Sequence, residues 1–177
     1  MRDGTVSVNW EAVGAIGEVL GAAVVVATLF YLARQTKLSV ELSKVAEQRT
    51  LIDQCNDYFR VTIEPGNLVS IRKAFSSYRS LSRDEQAKAF IVFCQWVTHY
   101  EKCIYAHEAG MLPTPVMIAF REFALSFLVT PGGKEFWEDM GPIFGQDLQI
   151  NLNEALLSHE LPAPATETFY WLRDDDT

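Results

Sequence analysis

AVGAIGEVLGAAVVVATLFYLA, residues 12–33, is 22 residues of almost unbroken apolar sequence with a single charge, Glu18. The hydrocarbon core of a bilayer takes roughly 20 apolar residues at about 1.5 Å each, so the stretch predicts a transmembrane helix. Its flanks agree. Trp10 stands where an interfacial aromatic belongs, Tyr31 lies near the other end, and Arg34 and Lys37 stop the run. Glu18 falls about one turn inside the outer boundary, within reach of the headgroups, of a proton, or of a partner in another helix. The competing reading, a core helix of a soluble oligomer, is weakened by how few other apolar helices are present to surround it.

The span reads as a retained anchor. Residues 1–11 set Arg2 against Asp3 and Glu11, whereas a signal peptide opens with positive charge, and Tyr31-Leu32-Ala33 places a bulky residue where cleavage needs a small one. Arg2 precedes the span, while Arg34, Lys37, Lys44 and Arg49 follow it closely. The positive-inside rule therefore sets residues 1–11 outside and everything after the span in the cytoplasm. Gly14, Gly17 and Gly21 recur at helical spacing, and Gly17 to Gly21 forms a GxxxG. Small residues on one face let two helix backbones approach, which makes these glycines, with Glu18 at their margin, a candidate helix-packing face.

The rest of the chain has room for one ordinary domain, and a hydrophobic content of 49% suffices for its core as well as the anchor. Cys55, Cys94 and Cys103 are odd in number and all follow the span, which suits free thiols in a reducing compartment. The net charge of −8 is unevenly spread: residues 34–102 carry eleven Lys and Arg against eight Asp and Glu, and residues 104–177 carry three against twelve. The acidic half would repel nucleic acid and anionic lipid, so nucleic acid is not an expected partner.

Between residues 22 and 64 there is no proline or glycine, and Leu38, Leu42, Val45, Ile52, Cys55 and Phe59 follow helical steps, so the helix is expected to run on to about Phe59. Arg49 interrupts that stripe and argues against a long coiled coil. Pro65-Gly66-Asn67 reads as a turn, followed by a short helix with Leu68, Ile71, Phe75 and Tyr78 on its apolar face. Ser82-Arg83-Asp84-Glu85 has the form of a capping box. From it a third helix keeps period through Phe90, Phe93, Trp96, Val97, Tyr100, Ile104 and His107 to Gly110. Thr114-Pro115 opens a fourth helix with Met117, Phe120, Ala124, Phe127 and Leu128 on one side, and Pro131-Gly132-Gly133 is expected to end it. Phe144, Leu148, Leu152, Ala155 and Leu156 mark a last helix. No stretch alternates with period two, so the expected fold is all-α, a transmembrane helix continuing into a bundle of about five helices over residues 34–160. Residues 161–177, punctuated by Pro162 and Pro164, read as a non-helical tail that is aromatic and then acidic.

Few residues suggest chemistry. His99, Cys103 and His107 are spaced four apart on the third helix, so neighbours in the set could supply nitrogen and sulfur to a metal. Zinc needs further ligands at motif spacing, and di-iron bundles need Glu-x-x-His repeats that are missing here, so packing is the expected role and no cofactor or metal is assigned. Pro131-Gly132-Gly133-Lys134 lacks the glycine spacing and the following Ser or Thr of a phosphate loop, and no Gly-x-Ser-x-Gly occurs. Trp96, Tyr100, Phe136 and Trp137 suit a core or, alternatively, a pocket for an apolar ligand. Phe169, Tyr170 and Trp171 in the tail either dock back onto the helices or contact a partner.

The N-terminal block, Trp10 to Glu18 and then Thr28-Leu29-Phe30-Tyr31-Leu32-Ala33-Arg34-Gln35, resembles that of a loose family of functionally uncharacterised bacterial membrane proteins. Gly110-Met111-Leu112 after an aromatic helix, and Pro131-Gly132-Gly133 before Phe136-Trp137, are similar in kind. The resemblance implies a bacterial inner membrane and a single span followed by a helical cytoplasmic domain, and it transfers no functional residue. The expected function is a membrane-anchored, non-catalytic scaffold, sensor or accessory subunit, partnered by the bilayer and by another membrane protein or a second copy. The rival reading is a membrane-tethered domain that binds a ligand or metal and acts as an enzyme.

Overall fold

The computed structural model describes residues 9–158 and 160–173, and the backbone alone of Ala12. Arg2, which bears on orientation, Asp3, which bears on the signal-peptide reading, and Asp174, Asp175 and Asp176 of the acidic tail lie outside the described residues. Within these bounds every regular element is helical. The first, α1 (Trp10–Ile63), runs without a break from the apolar stretch into the rest of the chain. Its length follows from composition, because the segment after Gly21 contains neither helix breaker. The chain divides into two compact units, Met1–Ser43 and Lys44–Thr177.

In the first unit every described side chain is exposed. An 18-residue window of this helix has a mean hydropathy of 2.1 with none of it buried, so the helix is long and apolar enough to cross a membrane. Two of its hydroxyls are satisfied within the helix: Thr28 Oγ1 donates to the Val24 carbonyl at 2.8 Å and Thr36 Oγ1 to the Leu32 carbonyl at 2.9 Å. In apolar surroundings such back-bonding removes the cost of an unpaired donor.

The second unit packs residues 44–63 of α1 with α2 (Pro65–Ser76), α3 (Arg83–Glu108), α4 (Thr114–Leu128), α5 (Pro131–Met140), α6 (Gln146–Leu156) and α7 (Ala165–Thr168). Two 3₁₀ turns, Gly141–Ile143 and Tyr170–Leu172, complete it. The buried face of α1 differs from the expected stripe. Leu42, Val45 and Ile52 are exposed, whereas Leu51 and Thr62 are buried and Cys55, Tyr58 and Phe59 half-buried. Leu51 rather than Ile52 sets the phase, because 51, 55, 58 and 62 hold the 3.6-residue period that meets the core.

Pro65-Gly66-Asn67 is the first turn of α2 rather than a connection, since proline at the first helical position needs no N–H partner. The capping box forms as expected: Ser82 Oγ accepts the Glu85 N–H at 3.4 Å, and Glu85 Oε2 accepts the Ser82 N–H at 3.1 Å. The Ser82 hydroxyl and Lys73 hold the Glu85 carboxyl down to about 2. Gly110, at φ +69°, closes α3 in the left-handed conformation that glycine adopts without a Cβ penalty.

The largest departure is at Pro131-Gly132-Gly133, read from sequence as a break. These residues are instead the first turn of α5, capped by Thr130, whose Oγ1 accepts the Gly133 N–H at 3.0 Å. Glycine is needed here for closeness rather than for turning. A Cβ on Gly132 would strike the Ala74 carbonyl oxygen of α2, and one on Gly133 would strike the Phe127 carbonyl oxygen of α4. With α5 seated so tightly, Phe136 reaches the centre of the core and meets Phe93 edge-on at 5.0 Å and Tyr78 at 5.5 Å. Trp96 and Phe127 stack at 5.4 Å, and Phe75 and Phe127 at 5.5 Å. α4 and α5 with its following turn also have the length and apolarity of a bent span, broken by 100°. Their buried residues, Leu125, Leu128 and Phe136 among them, account for that apolarity as core. Two asparagines of α6 lock it in place, Asn151 accepting from Tyr100 at 2.6 Å and Asn153 from Trp137 Nε1 at 2.8 Å.

Gly132→Ala is expected to destabilise the fold by about 1–3 kcal/mol, as overpacking against backbone does. Gly66→Ala, where a Cβ meets nothing within 4 Å, should be neutral or stabilise by up to about 1 kcal/mol. Denaturant unfolding of the two variants beside the parent chain measures both effects.

Candidate functional site

Residues 44–63 of α1 and the second half of α3 lie antiparallel. Gln48 Nε2 donates to the Met111 carbonyl at 3.4 Å, Lys102 Nζ donates to Gln54 Oε1 at 3.2 Å and to the Tyr58 hydroxyl at 3.5 Å, and Phe59 meets Trp96 at 4.7 Å. Between the two helices is a cleft of about 410 Å³, lined on the α1 side by Glu47, Leu51 and Gln54 and on the α3 side by Lys102, Ala106 and Met111, among others. On α1 the three lining residues follow i, i+4 and i+7, a single helical face whose ends are polar and whose centre is apolar. Leu51 and Ala106 are buried and form the floor, while Glu47 and Lys102 stay exposed at the rim. A cleft of this size can take a small amphipathic molecule.

Behind Tyr58, the ring that receives Lys102, lies His99. It is 1% exposed, held edge-on by Tyr58 at 5.4 Å and by Phe120 at 5.0 Å. Neither ring nitrogen has a hydrogen-bond partner among the described residues, and Gln95 Oε1 and Trp96 Nε1 on the same stretch of α3 share that state. Burial, with a smaller contribution from the Lys102 charge, pushes His99 down to about 4, so the imidazole is neutral at physiological pH.

His99, Cys103 and His107, considered as possible ligands though no metal was assigned to them, do not converge. Among the described residues no three His, Cys, Asp or Glu side chains stand close enough to hold a metal ion. His107 is committed elsewhere, Nδ1 donating to the Leu112 carbonyl at 2.8 Å across the turn that Gly110 opens. Cys103 is fully buried, and desolvation first, then Cys55 and Glu47, push its thiol up to about 12. Burial also raises Cys55 and carries Cys94 up to about 11, so none of the three is a ready thiolate at neutral pH.

Gly14, Gly17, Glu18 and Gly21 lie on the exposed helix of the first unit, and a Cβ on any of the three glycines would meet nothing within 4 Å. The tail takes the docked alternative at one end. Leu172 is buried, Phe169 packs edge-on against Phe123 at 6.2 Å, and Arg72 Nε donates to the Trp171 carbonyl at 2.6 Å. The Tyr170 and Trp171 rings remain exposed, at 74% and 41%. Sequence reasoning passed over Glu47, Gln54 and Lys102, although the polar–apolar–polar face of α1 carries the signal. The apolar stripe, set one residue out of phase at Ile52, hid it.

His99→Leu, of similar volume, is expected to hold or raise stability near neutral pH because it removes two buried unpaired nitrogens. With the folded value near 4 and the unfolded value near 6.5, protonation of His99 imposes no penalty on the fold above 6.5 and a growing one as pH falls toward 4. The variant should lack this component of the stability profile, which unfolding measured across that interval would reveal. No protein-family model, curated protein or solved structure matches this chain, so its function rests on its own residues and their geometry.

Proposed function

We propose that the chain is a single-pass protein of a bacterial inner membrane, of the kind its N-terminal block resembles, with its N-terminus outside and a cytoplasmic helical bundle inside. It serves as a scaffold, sensor or accessory subunit of a membrane complex rather than as a catalyst. One observation carries this reading: an apolar window of mean hydropathy 2.1 has none of its surface covered by the rest of the chain. Exposed Val24, Val25, Val26, Leu29 and Phe30 are costly in water, at about 25 cal/mol for each Å² of apolar surface, and at no such cost in lipid.

The open face at Gly14, Gly17 and Gly21, with Glu18 beside it, supports docking of a second helix from another membrane protein or another copy. The exposed Tyr170 and Trp171 rings support a further contact at the tail. A second reading, a membrane-tethered ligand-binding domain, is favoured by the cleft between α1 and α3.

The chain is expected to remain with membranes through an alkaline carbonate wash, to be extracted by mild detergent, and to co-purify with a defined partner or as an oligomer. Replacing Gly17 and Gly21 together by Ile should release that association without changing the unfolding of the helical domain. Recovery in the carbonate supernatant, or an association indifferent to both substitutions, counts against the anchor and the packing face respectively.

A further inference from the structure

We infer that the cleft between α1 and α3 is a binding site for a free zwitterionic peptide of about three residues with an apolar centre. The cleft belongs wholly to the second unit, so this inference stands apart from the anchor reading. Its charges are opposed and separated. Lys102 sits at the Gln54 end, where its ammonium is oriented by the Gln54 amide oxygen and the Tyr58 hydroxyl. Glu47 sits at the other end, beside the Gln48–Met111 contact. From Glu47 to Gln54 is seven residues of α1, two turns, or about 10 Å at 1.5 Å per residue. Glu47 and Lys102 are therefore too far apart to neutralise each other across the cleft, and a ligand bridging them must carry its own charges at about that separation.

An extended tripeptide meets the requirement, spanning about 10 Å at roughly 3.4 Å per residue. Its ammonium fits the Glu47 end, where the C-terminal end of α3 adds the negative pole of the helix dipole. Its carboxylate fits Lys102 and the N–H groups of the Gln54 amide. Its central side chain lies on Leu51, Ala106 and Met111. The small Ala106 leaves the room that a larger side chain would fill, and the volume of about 410 Å³ falls within the roughly 300–1,000 Å³ of small-molecule sites.

The test uses the full chain in lipid nanodiscs, which avoids detergent monomers competing for an apolar floor. Calorimetric titration with Ala-Leu-Ala is compared with its N-acetyl form, its C-terminal amide, Ala-Leu and a pentapeptide of Ala and Leu. The free tripeptide should bind best and shift the Met111 methyl resonance. Each capped form should bind about two- to fivefold more weakly, the size of one exposed charge contact. Glu47→Gln should erase the discrimination against the N-acetyl form alone, and Lys102→Met that against the amide alone. Both residues are exposed, so both variants should unfold as the parent chain does. Equal binding of free and capped peptides, equal binding at all lengths, an unmoved Met111 resonance, or no binding up to about 10 mM overturns the inference.

Discussion

The start of α5 passes so close to two backbone carbonyls, Ala74 of α2 and Phe127 of α4, that only glycine fits at 132 and 133. The arrangement of the second unit depends on this approach. Phe136, one turn further along α5, has no exposed surface and meets rings from α3 and from the connection after α2. Backing α5 away by the width of a methyl group would withdraw Phe136 from Phe93 and open the centre of the core. Close packing leaves no slack for that, since a gap of even a fraction of an ångström forfeits dispersion contacts on all sides. Thr130 makes the same turn self-consistent by donating to the Phe127 carbonyl and accepting from Gly133. The polar groups of the junction are thereby satisfied inside an apolar shell.

Those glycines also show where sequence reading reaches its limit. Pro131-Gly132-Gly133 has every local mark of a break, because propensity counts two glycines against a helix. Tertiary closeness reverses the reading, and nothing local announces that a neighbouring helix will lie against that spot. The third helix was legible throughout, since its start signal, its period and its stop at Gly110 are all local and agree. α1 was legible in existence and continuity but not in phase. Leu51 and Ile52 are adjacent and equally apolar, and which of them faces inward is decided by α3, not by α1.

Spacing alone does not make a metal site, for a related reason. Spacing by four puts His99, Cys103 and His107 near one face of a helix, but a ligand set also needs a common point in space and ligands free of other duties. His107 holds a turn, Cys103 is sealed in the core, and His99 is enclosed by aromatic rings. Buried polar atoms without partners are a net cost to the fold, of the order of 1–3 kcal/mol each. Gln95, Trp96 and His99 collect several such atoms on one stretch of α3, two of whose rings meet that of Tyr58. A core selected for stability alone would carry apolar side chains there.

Why a cleft should form between α1 and α3 at all comes down to side-chain size. Where Phe59 faces Trp96 the two helices are filled by rings, and no space remains. Further along, α3 offers Ala106 and its C-cap Ala109, and two helices set apart by large side chains at one end cannot close onto small ones at the other without bending. The gap is thus a consequence of the aromatic contact. Its floor is apolar because it is the continuation of a core face, and its rims are charged because they are where each helix turns toward water. A groove of this origin is held open by rigid elements rather than by loops, so a ligand that fits it pays little to order the protein. The same rigidity fixes the spacing of the backbone positions that carry Glu47 and Lys102 on either side of it.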